Sequence, residues 1–129
     1  MDVMSDSLFD AATLALIGAA DELHLASRRA DGTLRAFITI WAVAVDGELF
    51  VRSAYGPENG WYRRALASGT GRIRAGGIEA DVVFRDGGDA DQAALDAEYH
   101  HKYDRYGARY VAPVVGETSH PVTLRIAPA

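Results

Sequence analysis

The chain has 129 residues, 49% of them hydrophobic and 24% charged, with a formal net charge of −5 and no cysteine. That length suits one domain able to bury roughly two thirds of the surface its unfolded chain exposes, and the apolar content is too high for disorder. Without cysteine there is no disulfide, no thiolate catalysis and no cysteine-ligated zinc or iron–sulfur centre. The first predicted element is a helix capped by Ser5 or Ser7, with Leu8, Phe9, Ala12 and Leu16 at helical spacing up to Gly18. From Leu23 the period falls to two, Leu23 and Leu25 flanking His24 in a short strand, and Asp31-Gly32 is a turn signal. A long strand, 34–45, then turns at Asp46-Gly47 into a second, 49–55. Gly56 to Gly60 is a loop, and Asn59 is placed to cap a helix over 61–68 with Trp61, Ala65 and Leu66 on or near one face. The stretches 72–75 and 78–84 pair across Gly76-Gly77, Asp89 or Asp91 caps a longer helix striped by Leu95, Tyr99, Tyr103 and Tyr106, and Val122, Leu124 and Ile126 alternate in a last strand.

The 34–45 strand is apolar on both faces: Ile38, Ile40, Ala42 and Ala44 on one, Phe37, Trp41, Val43 and Val45 on the other. A half-exposed sheet alternates with polar residues, so this strand is expected to be covered twice, by a barrel interior and by a helix or a second subunit. The expected fold is α+β, a small antiparallel β-barrel of about six strands with about three helices. It is organised as one domain over residues 1–129, with the N-terminal helix in 1–20 and the barrel and other helices in 21–127.

Charge is unevenly spread. Residues 1–24 hold Asp2, Asp6, Asp10, Asp21 and Glu22 with no Arg or Lys; residues 49–78 hold five arginines against Glu58; residues 79–98 hold seven acids against Arg85. An acidic chain with one basic stretch is poorly suited to nucleic acid and better suited to one small anion. The acidic N-terminus lacks the positive charge of a signal peptide, and no apolar run approaches the ~18 residues of a membrane span, which predicts a cytoplasmic protein. Twelve arginines against one lysine read as genome composition.

No glycine-rich nucleotide motif and no nucleophile-elbow motif is present. His100 and His101 are adjacent on the long helix and so do not face one another; solvated polar residues account for them, and no metal site is predicted. The segment 52–64 holds the richest set of groups: Arg52 and Ser53 at a strand end, then Asn59, Trp61, Tyr62, Arg63 and Arg64 at a helix start. Arginine forks, hydroxyls and a helix N-terminus are groups that hold phosphate or carboxylate. The competing account is that Trp61 and Tyr62 pin the helix to the barrel while the arginines are solvated.

The run Ser27 to Arg35, the apolar strand, the Val45-Asp46-Gly47-Glu48 turn and the loop to Trp61-Tyr62 resemble, in order, the deazaflavin-dependent nitroreductase family. The chain is more similar still to a small uncharacterised bacterial family of the FMN-binding split-barrel superfamily. Trp41-Ala42-Val43-Ala44-Val45-Asp46-Gly47, Leu49-Phe50-Val51-Arg52, Gly56 to Tyr62, and Tyr99, Lys102 and Tyr103 carry that likeness over residues 20–127. It implies a six-stranded antiparallel split barrel, a homodimer, and FMN or a deazaflavin bound near the subunit interface. Carried over by position, the cofactor residues are Arg35, Thr39, Arg52, Ser53, Asn59, Trp61 and Tyr62.

The leading reading is thus a flavin- or deazaflavin-binding oxidoreductase acting on a small molecule, with the hydride chemistry supplied by the cofactor. Tyr99, Lys102 or Tyr103 is then a proton donor, although the tyrosines also suit packing. The alternative is a non-catalytic split-barrel dimer that binds a small ligand or haem, or no cofactor; a metal-dependent hydrolase ranks third. Arg52 is the expected anion anchor.

Overall fold

The computed structural model describes residues 8–129. Its strands are Leu23–Ser27 (β1), Ile38–Ile40 (β2), Ala42–Val45 (β3), Glu48–Arg52 (β4), Thr70–Ala75 (β5), Ile78–Asp86 (β6) and Thr123–Pro128 (β7). Its α-helices are Ala11–Ala19 (α1), Gly60–Ser68 (α2), Gln92–Tyr103 (α3) and Ala108–Val111 (α4), with 3-10 turns at Asp104–Tyr106, Ala112–Val114 and His120–Val122. The strands form one antiparallel sheet in the order β2-β1-β5-β6-β7-β4-β3. The two end strands are consecutive in the chain and separated by Trp41 alone, so the sheet curls into a nearly closed barrel. Seven strands replace the expected six because the long strand breaks at Trp41: its first half pairs with β1 and its second with β4. The fourth helix, absent from the sequence reading, is the single turn α4.

The break is held from outside the sheet. The Ala42 N–H donates to the Tyr103 hydroxyl at 3.2 Å, and the Ala42 carbonyl accepts from Lys102 Nζ at 2.6 Å and from the Tyr103 hydroxyl at 3.1 Å. Backbone groups that an edge strand would leave unpaired are thereby satisfied by α3. The Trp41 ring stacks on Tyr103, with centroids 4.0 Å apart and planes 7° from parallel.

Both apolar faces of the second half of the broken strand, β3, are covered. Ala42 and Ala44 join the barrel core with Leu14 and Ile17 of α1. Val43, Val45 and Trp41 join a second core with Leu95, Tyr99 and Tyr103 of α3. The expected outer cover of Ala42–Val45 is therefore helix α3. Each fully buried side chain, such as Val43 or Leu95, contributes about 1.5–3 kcal/mol relative to an exposed one.

Helix α1 differs from expectation. Its cap is Asp10, whose carboxylate accepts from the Thr13 N–H at 2.8 Å, and Ser5 and Ser7 lie outside the described residues. Leu14 and Ile17 are buried, while Leu8 and Leu16 are more than half exposed. Ala11–Ala19 is apolar nearly all round, so periodicity had no polar face to select the phase; docking on β3 selects it. Other boundaries agree within two residues, except that the strand expected over 34–45 begins at Ile38 and the one expected over 49–55 ends at Arg52. Asp91 caps α3 by accepting from the Ala94 N–H at 3.0 Å, and of the expected stripe Leu95, Tyr99 and Tyr103 are fully buried, whereas Tyr106 falls in the following 3-10 turn. Gly69 ends α2 in the left-handed conformation. Asp46 and Gly47, at φ 52° and 79°, form a hairpin turn of the type that needs positive φ at both central residues.

Gly76 at the β5–β6 turn couples two requirements. Its φ is +58°, and a Cβ there would stand 2.2 Å from the Leu16 carbonyl oxygen, in the last turn of α1. The neighbouring Gly77 also has positive φ, but its Cβ position is open. Gly77→Ala is expected to cost about 1 kcal/mol from backbone strain alone, and Gly76→Ala about 2–4 kcal/mol because α1 must also move. Urea unfolding of the two variants checks the order; equal losses would show that α1 does not bear on this turn.

Candidate functional site

Arg52 ends β4 with its side chain fully buried. Its Nε donates to Thr123 Oγ1 at 3.1 Å, one terminal nitrogen to Asp96 Oδ1 at 2.5 Å and the Val114 carbonyl at 2.7 Å, and the other to the Gln92 side-chain and main-chain oxygens at 2.7 and 3.5 Å. Those five bonds engage every N–H of a guanidinium, and the group also lies 5.3 Å from the centroid of the Tyr99 ring. Arg52 therefore has no donor left for a phosphate. The expectation that it is the anion anchor is corrected: it ties β4, β7, α3 and the 112–114 turn together.

Asp96 is its counter-ion and also binds His120 Nε2 at 3.1 Å and the Gly116 N–H at 3.3 Å. Burial pushes the Asp96 carboxyl up, but the bonds from Arg52 and His120 outweigh it and hold the group below its ordinary value. Ser53, also buried, donates to the Gly56 carbonyl at 2.6 Å and shapes the following loop. Tyr62 is buried with its hydroxyl 3.4 Å from the Pro121 carbonyl, pinning α2 to the barrel. Asn59 stands at the cap position of α2 but makes no capping bond, donating instead to the Ala54 carbonyl at 3.3 Å.

The other expected residues border a chain of cavities that share wall residues. At one end, a space of about 560 Å³ is walled by Arg28, Arg29, Arg35 and Arg64 with Ser68 and Thr70. A smaller one of about 240 Å³ shares Arg29, Arg35 and Arg64 and adds Ile38 and Trp61. Ile38 and Trp61 also wall the next, of about 410 Å³, together with Thr39, Ile40, Trp41 and Asn59. Trp41 leads on to a fourth, of about 380 Å³. The groove is thus cationic at one end and aromatic and aliphatic in its middle. Arg35 stands at the junction, and its Nε is buried without a hydrogen-bond partner. Arg29 and Arg28 keep some donors engaged with the 29–34 turn and Asp81. Thr39 is exposed, its hydroxyl 3.0 Å from His24 Nδ1.

Arg35, Thr39, Asn59 and Trp61 thus meet on the groove, whereas Ser53 and Tyr62 hold the fold; Arg52 backs one wall with its side chain fully covered. Arg29 and Arg64 were underweighted by sequence reasoning. Arg64 follows Trp61 by three positions on a nine-residue helix, and residues at that spacing share a face, which was the available signal. The candidate proton donors are also accounted for. Tyr99 and Tyr103 are fully buried and burial raises both hydroxyls well above the ordinary value, while burial pushes the Lys102 ammonium down to about 8. Among the described residues, no group of three or more acidic or histidine side chains is arranged to hold a metal ion.

A family model described as an uncharacterized protein conserved in bacteria, DUF2255, matches residues 13–126. The chain belongs to that family. No curated protein matches it. Among solved structures, a conserved hypothetical protein from Mycobacterium tuberculosis is 14% identical with a TM-score of 0.62, over 99% of this chain and 86% of that one. An F420-H2 dependent reductase is 16% identical with a TM-score of 0.59, over 83% and 93%. A FAD-binding protein from Mesorhizobium loti is 16% identical with a TM-score of 0.50, over 98% and 94%. At these identities the likeness is one of fold, and it agrees with the split-barrel resemblance carried by Trp41–Gly47 and Leu49–Arg52.

A carboxyl held below its ordinary value stabilises the fold fully above that value, near ~4, and loses the contribution as pH falls through the folded value. Asp96→Asn leaves the Arg52 charge buried without its counter-ion and is expected to cost about 2–4 kcal/mol at neutral pH. In urea unfolding the gap from wild type should narrow as the pH is lowered toward about 3. A variant as stable as wild type at neutral pH would exclude this role for Asp96.

Proposed function

We propose that the protein is a reductase that binds a flavin-type cofactor, FMN or a deazaflavin, along this groove and acts on a small molecule. The observation that carries the reading is the Arg35 Nε, a buried donor without a partner beside Arg29 and Arg64 on a cationic wall. A buried donor left unsatisfied costs about 1–3 kcal/mol, and a phosphate oxygen is the acceptor this wall suits. The adjoining wall of Ile38, Trp41 and Trp61 suits a planar ring and keeps water from its face. Structures of similar fold include an F420-H2 dependent reductase and a FAD-binding protein, which supports the same class of ligand.

In this reading Arg29, Arg35 and Arg64 hold the anionic arm, and Trp61 with Ile38 orients the ring. The bound cofactor supplies the hydride. Tyr99 and Tyr103 pack and carry no proton to substrate, since both are fully buried. A homodimer belongs to the same reading: Tyr55, 85% exposed, stands on the rim of the groove as apolar surface for a second copy.

Titrating the purified protein with FMN and with a deazaflavin, while following tryptophan fluorescence and melting temperature, tests the proposal. Saturable quenching by one of them is expected. Arg35→Leu should weaken it at least about tenfold, the worth of one charge-assisted hydrogen bond, while Arg63→Ala, outside the groove walls, should not. If neither cofactor changes fluorescence or melting temperature, the proposal fails.

A further inference from the structure

The groove has a second end of opposite character. Its cavity of about 380 Å³ is walled by Asp21, Glu22, Trp41, Tyr106 and Tyr110: two carboxylates and three aromatic rings. Trp41 and Tyr106 stack at 5.7 Å between centroids, and the Tyr106 hydroxyl donates to Asp21 Oδ2 at 2.6 Å, so the wall is braced. Asp21 also pairs with Arg105 and is held below its ordinary value, first by the Tyr106 bond and then by Arg105. Glu22 has no hydrogen bond or ion pair among the described residues. The guanidinium groups of Arg105 and Arg109 lie over the Tyr106 and Tyr110 rings at 4.7 and 5.2 Å, yet neither residue lines the cavity. Of the other nearby cations, Lys102 is turned to the Ala42 carbonyl, and Arg74, which borders an adjoining cavity with Asp21 and Glu22, pairs with Glu79.

Aromatic faces attract cations through their quadrupole, most strongly for alkylated ammonium groups that shed water easily. An unpaired carboxylate adds charge attraction and disfavours anions. We infer that this end is the substrate subsite and takes an organic cation, a tertiary or quaternary ammonium compound with an apolar body. Glu22, Trp41 and Tyr110 belong to both this cavity and the one walled by Trp61, so the cation binds beside the apolar middle of the groove while the anionic arm of the cofactor binds at the arginine end. As substrate assignment this rests on the proposed reductase function; the cation preference itself does not.

Calorimetric titration of the cofactor-free protein separates the two. The probes are benzyltrimethylammonium and its neutral near-isostere 2,2-dimethyl-3-phenylpropan-1-ol. The cation is expected to bind at least about tenfold more tightly, corresponding to the ~1–2 kcal/mol of a partly desolvated cation–aromatic contact. Glu22→Gln should remove most of that preference, and Tyr110→Leu should weaken the cation more than the alcohol. Both side chains are exposed, and an unchanged melting temperature confirms that the variants fold. Equal affinity for the two probes, or no binding of the cation, overturns the inference even where FMN or a deazaflavin binds. Cation preference without any cofactor binding leaves the subsite standing and removes the reductase.

Discussion

The barrel depends on how the chain gets past Trp41. A single strand from 34 to 45 would have to bend through two sheet edges, and a bend exposes backbone groups that no neighbouring strand can pair. Here both polar groups of Ala42 are satisfied by α3, through Tyr103 and Lys102, and the Trp41 ring lies flat on Tyr103. The break therefore carries little penalty in unpaired backbone. It also decides where the groove lies: β2 brings Ile38 and Thr39 to its middle, and Trp41 separates that middle from the acidic aromatic end.

A second constraint holds α3 in position to do this. The Arg52 guanidinium is buried at a strand end, where a lone charge would be costly, and it is stabilised by five bonds to three other segments of chain. Only one of its partners, Asp96, is ionic. Such a network fixes geometry as much as it adds stability, because each acceptor must sit at one distance and direction. The start of α3, the 112–114 turn and β7 are thereby set relative to β4, and the far end of α3 then reaches Ala42.

Much of this was legible in the chain itself. The Asp46-Gly47 turn, the Gly76-Gly77 turn, the acidic cap of α3 (narrowed to Asp89 or Asp91) and the Gly69 stop are local, set by which residues tolerate positive φ or accept from a helix start. The double apolar pattern correctly marked 42–45 as covered by two layers, whereas the outer face of 38–40 stays open at the exposed Thr39. The break at Trp41 was not legible, because its cause is a hydrogen bond from residues sixty positions away. The phase of α1 was hidden for a different reason, since a helix apolar on all sides presents no preferred face.

The site divides along the same line. The sequence by itself determined the set of groups: a basic segment, two tryptophans, acids near the first strand, and a split-barrel pattern between Trp41 and Arg52. Their roles were decided only by tertiary structure. An arginine at a strand end reads the same whether it meets solvent, ligand or carboxylate, and burial turned Arg52 inward to Asp96 while leaving Arg35 with an unpartnered donor. Asp21 and Glu22 are separated by more than eighty residues from Tyr106 and Tyr110, and they share a cavity because the sheet closes between them. Local propensities act over a few residues, whereas burial and pairing are properties of the closed barrel.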